Sequence, residues 1–203
     1  MLGELAAMKT ERVLPFRFLA AARKAPQWEE ALELAMFRAL AGRASLLGHT
    51  VLLVDVSGSM TYELSRRSEM TRTDAAYGLA ILLRELAERV TIYTFSSQVV
   101  RVASRRGMAL RDALHQSQPH AATFLGAAVE LAERECAGYD RLVVITDEQA
   151  HDSVAEPTGR GYLINVASAK NGVGYGRWMH IDGFSEAVVD YIAELERADE
   201  GQN

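Results

Sequence analysis

The sequence predicts an α/β fold: a doubly wound, mostly parallel six-stranded sheet with one antiparallel edge strand, preceded by a helical arm. Three observations predict it. Short apolar runs of strand length, VLLV at 51–54 and LVVI at 142–145 foremost, alternate with longer segments of helical periodicity, the pattern of parallel strands joined by crossover helices. Those runs lack polar alternation, as strands covered on both faces do. Two further runs, 90–96 and 98–104, lie so close in the chain that they turn back as a hairpin and set an antiparallel edge.

With 203 residues and 49% hydrophobic content, the chain can enclose one sizeable core and carry an appendage. No apolar stretch reaches the length of a membrane span, and MLGELAAMKTER lacks the charged start, apolar middle and small-residue cleavage site of a secretory signal. The expected location is cytoplasmic, with no membrane partner. The single cysteine, Cys136, excludes an internal disulfide and a cysteine-rich metal site. A net charge of −5 argues against a broadly electrostatic nucleic-acid binder. No segment compensates strongly: residues 1–50 sum to +2, 51–184 to −2 and 185–203 to −5.

Residues 1–47 read as the helical arm. Trp28, Ala31, Leu32, Ala35, Met36, Ala39 and Leu40 follow helical spacing, with Pro26 at the start and Gly42 near the end. Upstream, LPFRFLAAARKAP is a shorter segment whose Phe16, Phe18 and Leu19 also need cover. The arm is either an appendage packed on the α/β domain or the end of a larger helical-repeat domain. Residues 48–198 form the α/β domain, and 199–203 a frayed tail.

Within that domain, residues 61–73 are polar and irregular after the first strand. Thr73 or Asp74 can cap a helix that buries Ala76, Leu79, Leu83 and Leu86 and pairs Glu85 with Arg89 on its outer face. ALRDALHQS is a short helix before Pro119. HAATFLGAAVELAERE is a longer one, with Leu125, Ala128, Val129 and Ala132 on one face and Thr123 at its loop junction. GYLINVAS and WMHIDG are the last two strands. The final helix, SEAVVDYIAELERA, has Ser185 as cap, Glu186 in its first turn, and Val188, Tyr191, Ile192 and Leu195 inward.

The chemistry gathers where strands end. TVLLVDVSGSM closes a buried strand on Asp55 and then presents Ser57 and Ser59 at every second position. Three oxygens can thereby aim at one point beyond the carboxyl end of the strand, where open α/β sheets place their ligands. RLVVITDEQ repeats that logic with Thr146, Asp147 and Glu148. Two carboxylates, Asp55 and Asp147, with the neutral hydroxyls of Ser57, Ser59 and Thr123, roughly cancel a hard divalent cation and leave one coordination position open. The expected ion is Mg²⁺, with Mn²⁺ or Ca²⁺ as alternatives, and a partner's carboxylate suits the open position. Asp and Ser after a strand are also ordinary turn residues; what points to metal is their ordered combination at three separate junctions.

VLLVDVSGSM, Thr123 and VITDE resemble the metal-ion-dependent adhesion site of von Willebrand factor A domains, a Rossmann-like fold, over about residues 48–198. The resemblance implies direct ligation by Ser57, Ser59 and, in one state, Thr123, with Asp55 and Asp147 acting largely through waters or hydrogen bonds to the inner ligands. Further phrases, LPFRFLAAAR, SEMTRTDAAYGLA, RRGMALRDALHQSQPH and YLINVASAKNGVGYGRWMHIDGFSEAVV, resemble the carboxyl-terminal part of the Ro autoantigen, or TROVE, family of RNA-binding proteins. That implies a non-enzymatic domain of a ribonucleoprotein whose small non-coding RNA is held mainly by helical repeats, of which residues 14–40 resemble only the final segment. The loop before Thr123 reads His120-Ala121-Ala122 where related domains commonly have glycines, so a turn there must avoid positive φ.

Two other functions have some support. Direct RNA binding could use Arg66, Arg67 and Arg72 beside the metal, or Tyr175, Arg177 and Trp178 after a glycine-rich loop. Against this, Trp178 reads equally as the start of a core strand, and the arginines can pair with Glu63 and Glu69. Phosphoryl transfer at Asp55 is the weaker alternative, because Val56 and Ser57 follow where a second carboxylate would be wanted and Lys170 is the only lysine beyond the arm. Gly172, Gly174 and Gly176 do not match a dinucleotide loop, and His115, His120, His151 and His180 lack metal-ligand spacing.

Overall fold

The apolar run at 51–54 is the middle of β1 (Leu46–Asp55), which is fully enclosed from Thr50 onward. Such a strand needs a neighbour on each edge and a layer on each face. In the computed structural model, which describes residues 15–43, 45–65, 68, 70–167, 176–185 and 187–200, β1 lies between β2 (Ala87–Phe95) and β4 (Arg141–Thr146) and runs parallel to both. Beyond β4 come β5 (Arg160–Asn165) and β6 (Trp178–Asp182), also parallel. On the other edge β3 (Val99–Val102) turns back antiparallel on β2. The order β3-β2-β1-β4-β5-β6 is the predicted class: a six-stranded sheet with one antiparallel edge.

Alternation along β1 sends Leu52 and Val54 into one core and Val51 and Leu53 into the other. The first core is covered by α1 (Pro15–Lys24), α2 (Glu29–Leu40), α3 (Arg72–Leu86), α4 (Gly107–His115) and α6 (Ala187–Glu200). Among the described helices, α5 (Leu125–Glu135) alone covers the second. The arm helices α1 and α2 belong to this packing. A Cβ on Gly78 of α3 would stand 2.2 Å from the Phe16 ring, so a glycine is what lets α1 approach. Glu33 of α2 accepts the Met108 N–H of α4 at 2.6 Å, and Arg23 of α1 pairs with Asp74 of α3 at 2.7 Å.

Several local expectations are corrected. The cap of α3 is Thr71, in a reciprocal capping box with Asp74, two residues before Thr73 and three before Asp74, the two expected caps. Its last helical residue, Leu86, is followed directly by β2, so Arg89 is an exposed strand residue and Glu85 pairs with Arg106 instead. Tyr191, expected inward on α6, is 47% exposed. That helix also continues to Glu200, through the first part of the expected frayed tail. Glu186, and residues 1–14 of the arm, lie outside the described residues. No helix among the described residues is long and apolar enough to cross a membrane.

Candidate metal centre

The chain leaves β1 for β2 on one side, while β4 arrives on the other, so the carboxyl ends of β1 and β4 form the switch point of the sheet. Asp55 ends β1 there with no solvent exposure. Its Oδ1 accepts the Ser57 N–H at 2.8 Å, an Asx-type turn that starts the loop, and its Oδ2 accepts the Thr146 hydroxyl at 2.6 Å. Burial pushes the Asp55 carboxyl up to about 6, although the hydrogen bonds from Ser57 and Thr146 pull the other way; the charge of Asp147 adds to the rise.

The loop after Asp55 is fixed at each step. Ser57 Oγ and Ser59 Oγ stand 3.2 Å apart, and a 3₁₀ turn at Gly58–Thr61 buries Met60 completely. Thr73 of α3 donates to the Met60 carbonyl at 2.7 Å. Gly58 N–H donates to the Ala121 carbonyl at 3.0 Å, which ties this loop to the segment carrying Thr123. That segment is in turn held by Ala121 N–H to Ser96 Oγ at 2.8 Å and by Phe124 N–H to the Ser96 carbonyl at 3.1 Å. Thr123 is 2% exposed, with its N–H donating to His151 Nδ1 at 3.1 Å. Neither Ala121 nor Ala122 adopts positive φ, so the turn forms without the glycines usual in related domains.

Asp147 follows β4 and is fully buried. Its Oδ2 lies 2.6 Å from Arg72 Nη1, while its Oδ1 has no hydrogen-bond partner among the described residues. A buried carboxylate oxygen without a donor is costly unless something else meets it. Next to it, Glu148 has φ 60, in the left-handed region that side chains rarely adopt. Its N–H donates to Thr146 Oγ1 at 3.1 Å, and its carboxylate lies 3.3 Å from His180 Nδ1.

Asp55, Ser57 and Ser59 thus share one loop, Asp147 stands on the adjoining strand end, and Thr123 is joined to them through the Gly58–Ala121 bond. The residues suit a hard divalent ion: hydroxyls and carboxylates only, with one buried oxygen lacking a donor. No group of three or more His, Cys, Asp or Glu side chains among the described residues offers a rival metal position.

Of the residues considered for RNA, only Arg72, Arg177 and Trp178 lie among the described residues. Arg66, Arg67 and Tyr175 lie outside the described residues. Arg177 is exposed. Trp178 is 5% exposed, packed in the second core, with its indole N–H donating to the Ala155 carbonyl at 2.9 Å. It is therefore a core residue and not a stacking platform. Arg72 is held by Asp147 and is not a free surface cation. Two participants have roles that the sequence does not announce: Thr146, visible in VITDE but not as the donor to Asp55, and Arg72, whose pairing with Asp147 spans 75 residues.

A family model described as the Ro60 vWA domain matches residues 49–159. Among solved structures, the chain is similar to the Deinococcus radiodurans RO (RSR) protein, with a TM-score of 0.70 at 20% identity over 93% of this chain and 45% of that one. It spans less than half the length of that protein. Weaker similarities include the conserved hypothetical protein BatB from Bacteroides thetaiotaomicron (TM-score 0.49, 14% identity, 77% of this chain and 100% of that one). Another is an aerotolerance-related membrane protein from Bacteroides fragilis (TM-score 0.47, 19% identity, 64% and 77%). No curated protein matches the chain.

Proposed function

Because this chain belongs to the Ro60 vWA domain family, we propose that it is a non-enzymatic, metal-dependent ligand-binding domain that grips an acidic group of a partner. Ser57, Ser59 and Thr123 would hold Mg²⁺, or Mn²⁺ or Ca²⁺ in its place, with Asp55 and Asp147 supplying the charge. When bound, such an ion offers Lewis acidity and an open position for a partner's carboxylate oxygen. The observation that carries this reading is the donor-free Oδ1 of fully buried Asp147 beside a hydroxyl cluster at the switch point of the sheet.

The chain's own residues do the rest. Thr146 and the Ser57 N–H orient Asp55, Met60 seals the loop from below, and the Ser96 contacts hold the Thr123 segment in place. Calorimetric titration with Mg²⁺ tests the reading: wild type should bind in the millimolar range or tighter and Asp55→Ala should not. Equal binding by both, or none by wild type, would sink it.

Small non-coding RNA binding belongs, in this proposal, mainly to the longer Ro-type protein, and within this chain Trp178 is buried and Arg72 engaged with Asp147. A filter-binding assay at two salt concentrations should find no appreciable affinity for this chain, and clear low-salt binding would overturn that division.

A further inference from the structure

Arg72 stands where helix chemistry gives it no reason to be. It is the first residue of α3, directly after the Thr71 cap, and a cation at that end opposes the positive pole of the helix dipole. Its neighbours on the loop side are nevertheless tightly arranged around it. The Arg72 N–H donates to the Tyr62 carbonyl at 2.9 Å, Glu63 and Thr71 form an antiparallel bridge, and the guanidinium lies 5.7 Å from the centre of the Tyr62 ring. The side chain, 18% exposed, then reaches across to Asp147, which is 0% exposed, at 2.6 Å.

Charge explains the reach. Without Arg72, Asp147 would be a fully buried anion beside a second one, Asp55, and an unpaired buried charge is among the most costly features a fold can carry. Arg72 meets that charge through Oδ2 and leaves Oδ1 without a donor. It offsets the charge of Asp147 and leaves that of Asp55 unmatched. With Arg72 in place, Asp55 and Asp147 sum with it to −1; with a divalent ion in its place they sum to zero, and with both cations together to +1. A divalent ion at Asp147 thus supplies the positive charge that Arg72 supplies there in this structure.

We propose that Arg72 is the resident cation of this site, holding Asp147 until a divalent ion takes it, so that metal binding and release of the guanidinium are a single exchange. This rests on the metal-binding function proposed for the same site. Arg72 is a positioning residue in this scheme and not a ligand of the metal. Its release frees a guanidinium, next to the exposed Tyr62 (65% exposed), at the rim where the partner's acidic group would arrive.

Three measurements test the exchange. Arg72→Gln should bind Mg²⁺ roughly ten- to a hundredfold more tightly than wild type, the range that one charge-assisted hydrogen bond spans. In chelator the same variant should melt at a lower temperature, and adding Asp147→Asn should restore part of that loss, since the buried anion is gone. In the wild type, the Nε–H resonance of Arg72 should move toward the position of a solvated arginine as Mg²⁺ is added. That third measurement needs no variant and stands if Arg72→Gln fails to fold. Equal or weaker Mg²⁺ binding by Arg72→Gln, or an unmoved Arg72 resonance at saturating metal, would overturn the exchange while leaving the metal reading intact. Absence of Mg²⁺ binding in both proteins would remove the metal reading and the exchange with it, and rescue by Asp147→Asn would then mark Arg72 as a structural counter-ion only.

Discussion

At Asp55 two demands conflict. The side chain must be charged to attract a cation, yet it lies fully buried, and that burial raises its carboxyl from 3.8 to about 6. This raised value sets the sign of the pH dependence. Between about pH 4 and 6 the folded protein keeps a proton that the unfolded chain has lost, so without metal this group makes stability fall as pH rises through that window, by on the order of 2–3 kcal/mol. Asp55→Asn removes the titration. In chelator, urea unfolding at pH 4.5 and 7 should give a smaller pH-dependent loss for Asp55→Asn than for wild type, and identical losses in both would contradict the assignment. The same residue shows what a sequence can convey about a site. Asp55, Ser57, Ser59, Thr123 and Asp147 could be picked out because each sits at a junction between a strand or helix and a loop, and junctions are local. The Arg72–Asp147 pair could not, because only the folded sheet brings positions 75 residues apart within 2.6 Å.

Among the elements, the strands were the most legible. Their apolar runs at 51–54 and 142–145 are short and unbroken, and the hairpin of β2 and β3 is evident from its short connection. Boundaries were harder, for a physical reason in each case. Leu83 and Leu86 continue a helical spacing toward Val90, but pairing of Ala87 with Leu46 of β1 pulls the chain into β2 at once. Thr71, Thr73 and Asp74 are all capable caps, and the reciprocal bond between Thr71 and Asp74 decides the choice. The docking of α1 on α3 leaves one cue, Gly78 in the middle of a helix, where glycine is unfavourable unless a neighbour needs the space. Phe16 is that neighbour. Gly78→Val should cost about 1–3 kcal/mol by urea denaturation, the usual penalty of overpacking, and Phe16→Ala in the same chain should recover part of it. A neutral Gly78→Val would mean that α1 does not pack as described.

For the whole molecule, the two ends of the sheet divide the work. At the amino ends of β4 and β5, Arg141 pairs with Glu196 of α6 through Nε at 2.8 Å and Nη2 at 2.5 Å, and Thr50 and Tyr162 complete a buried network. Every partner there is satisfied, which suits a structural clamp. At the carboxyl ends of β1 and β4 lie the donor-free Asp147 Oδ1, the left-handed Glu148 and the paired Arg72. The one non-glycine residue with positive φ among the described residues, Glu148, and one of the three buried side-chain atoms without a partner there, Asp147 Oδ1, lie at the end expected to bind. The most direct test is an amide NMR titration of the wild-type chain with Mg²⁺. The expected result is saturable shifts confined to residues 55–60, 72, 121–124 and 146–148, with Arg141, Tyr162 and Glu196 unmoved. Shifts centred on any other part of the molecule, or none at millimolar Mg²⁺, would contradict a metal centre at this switch point.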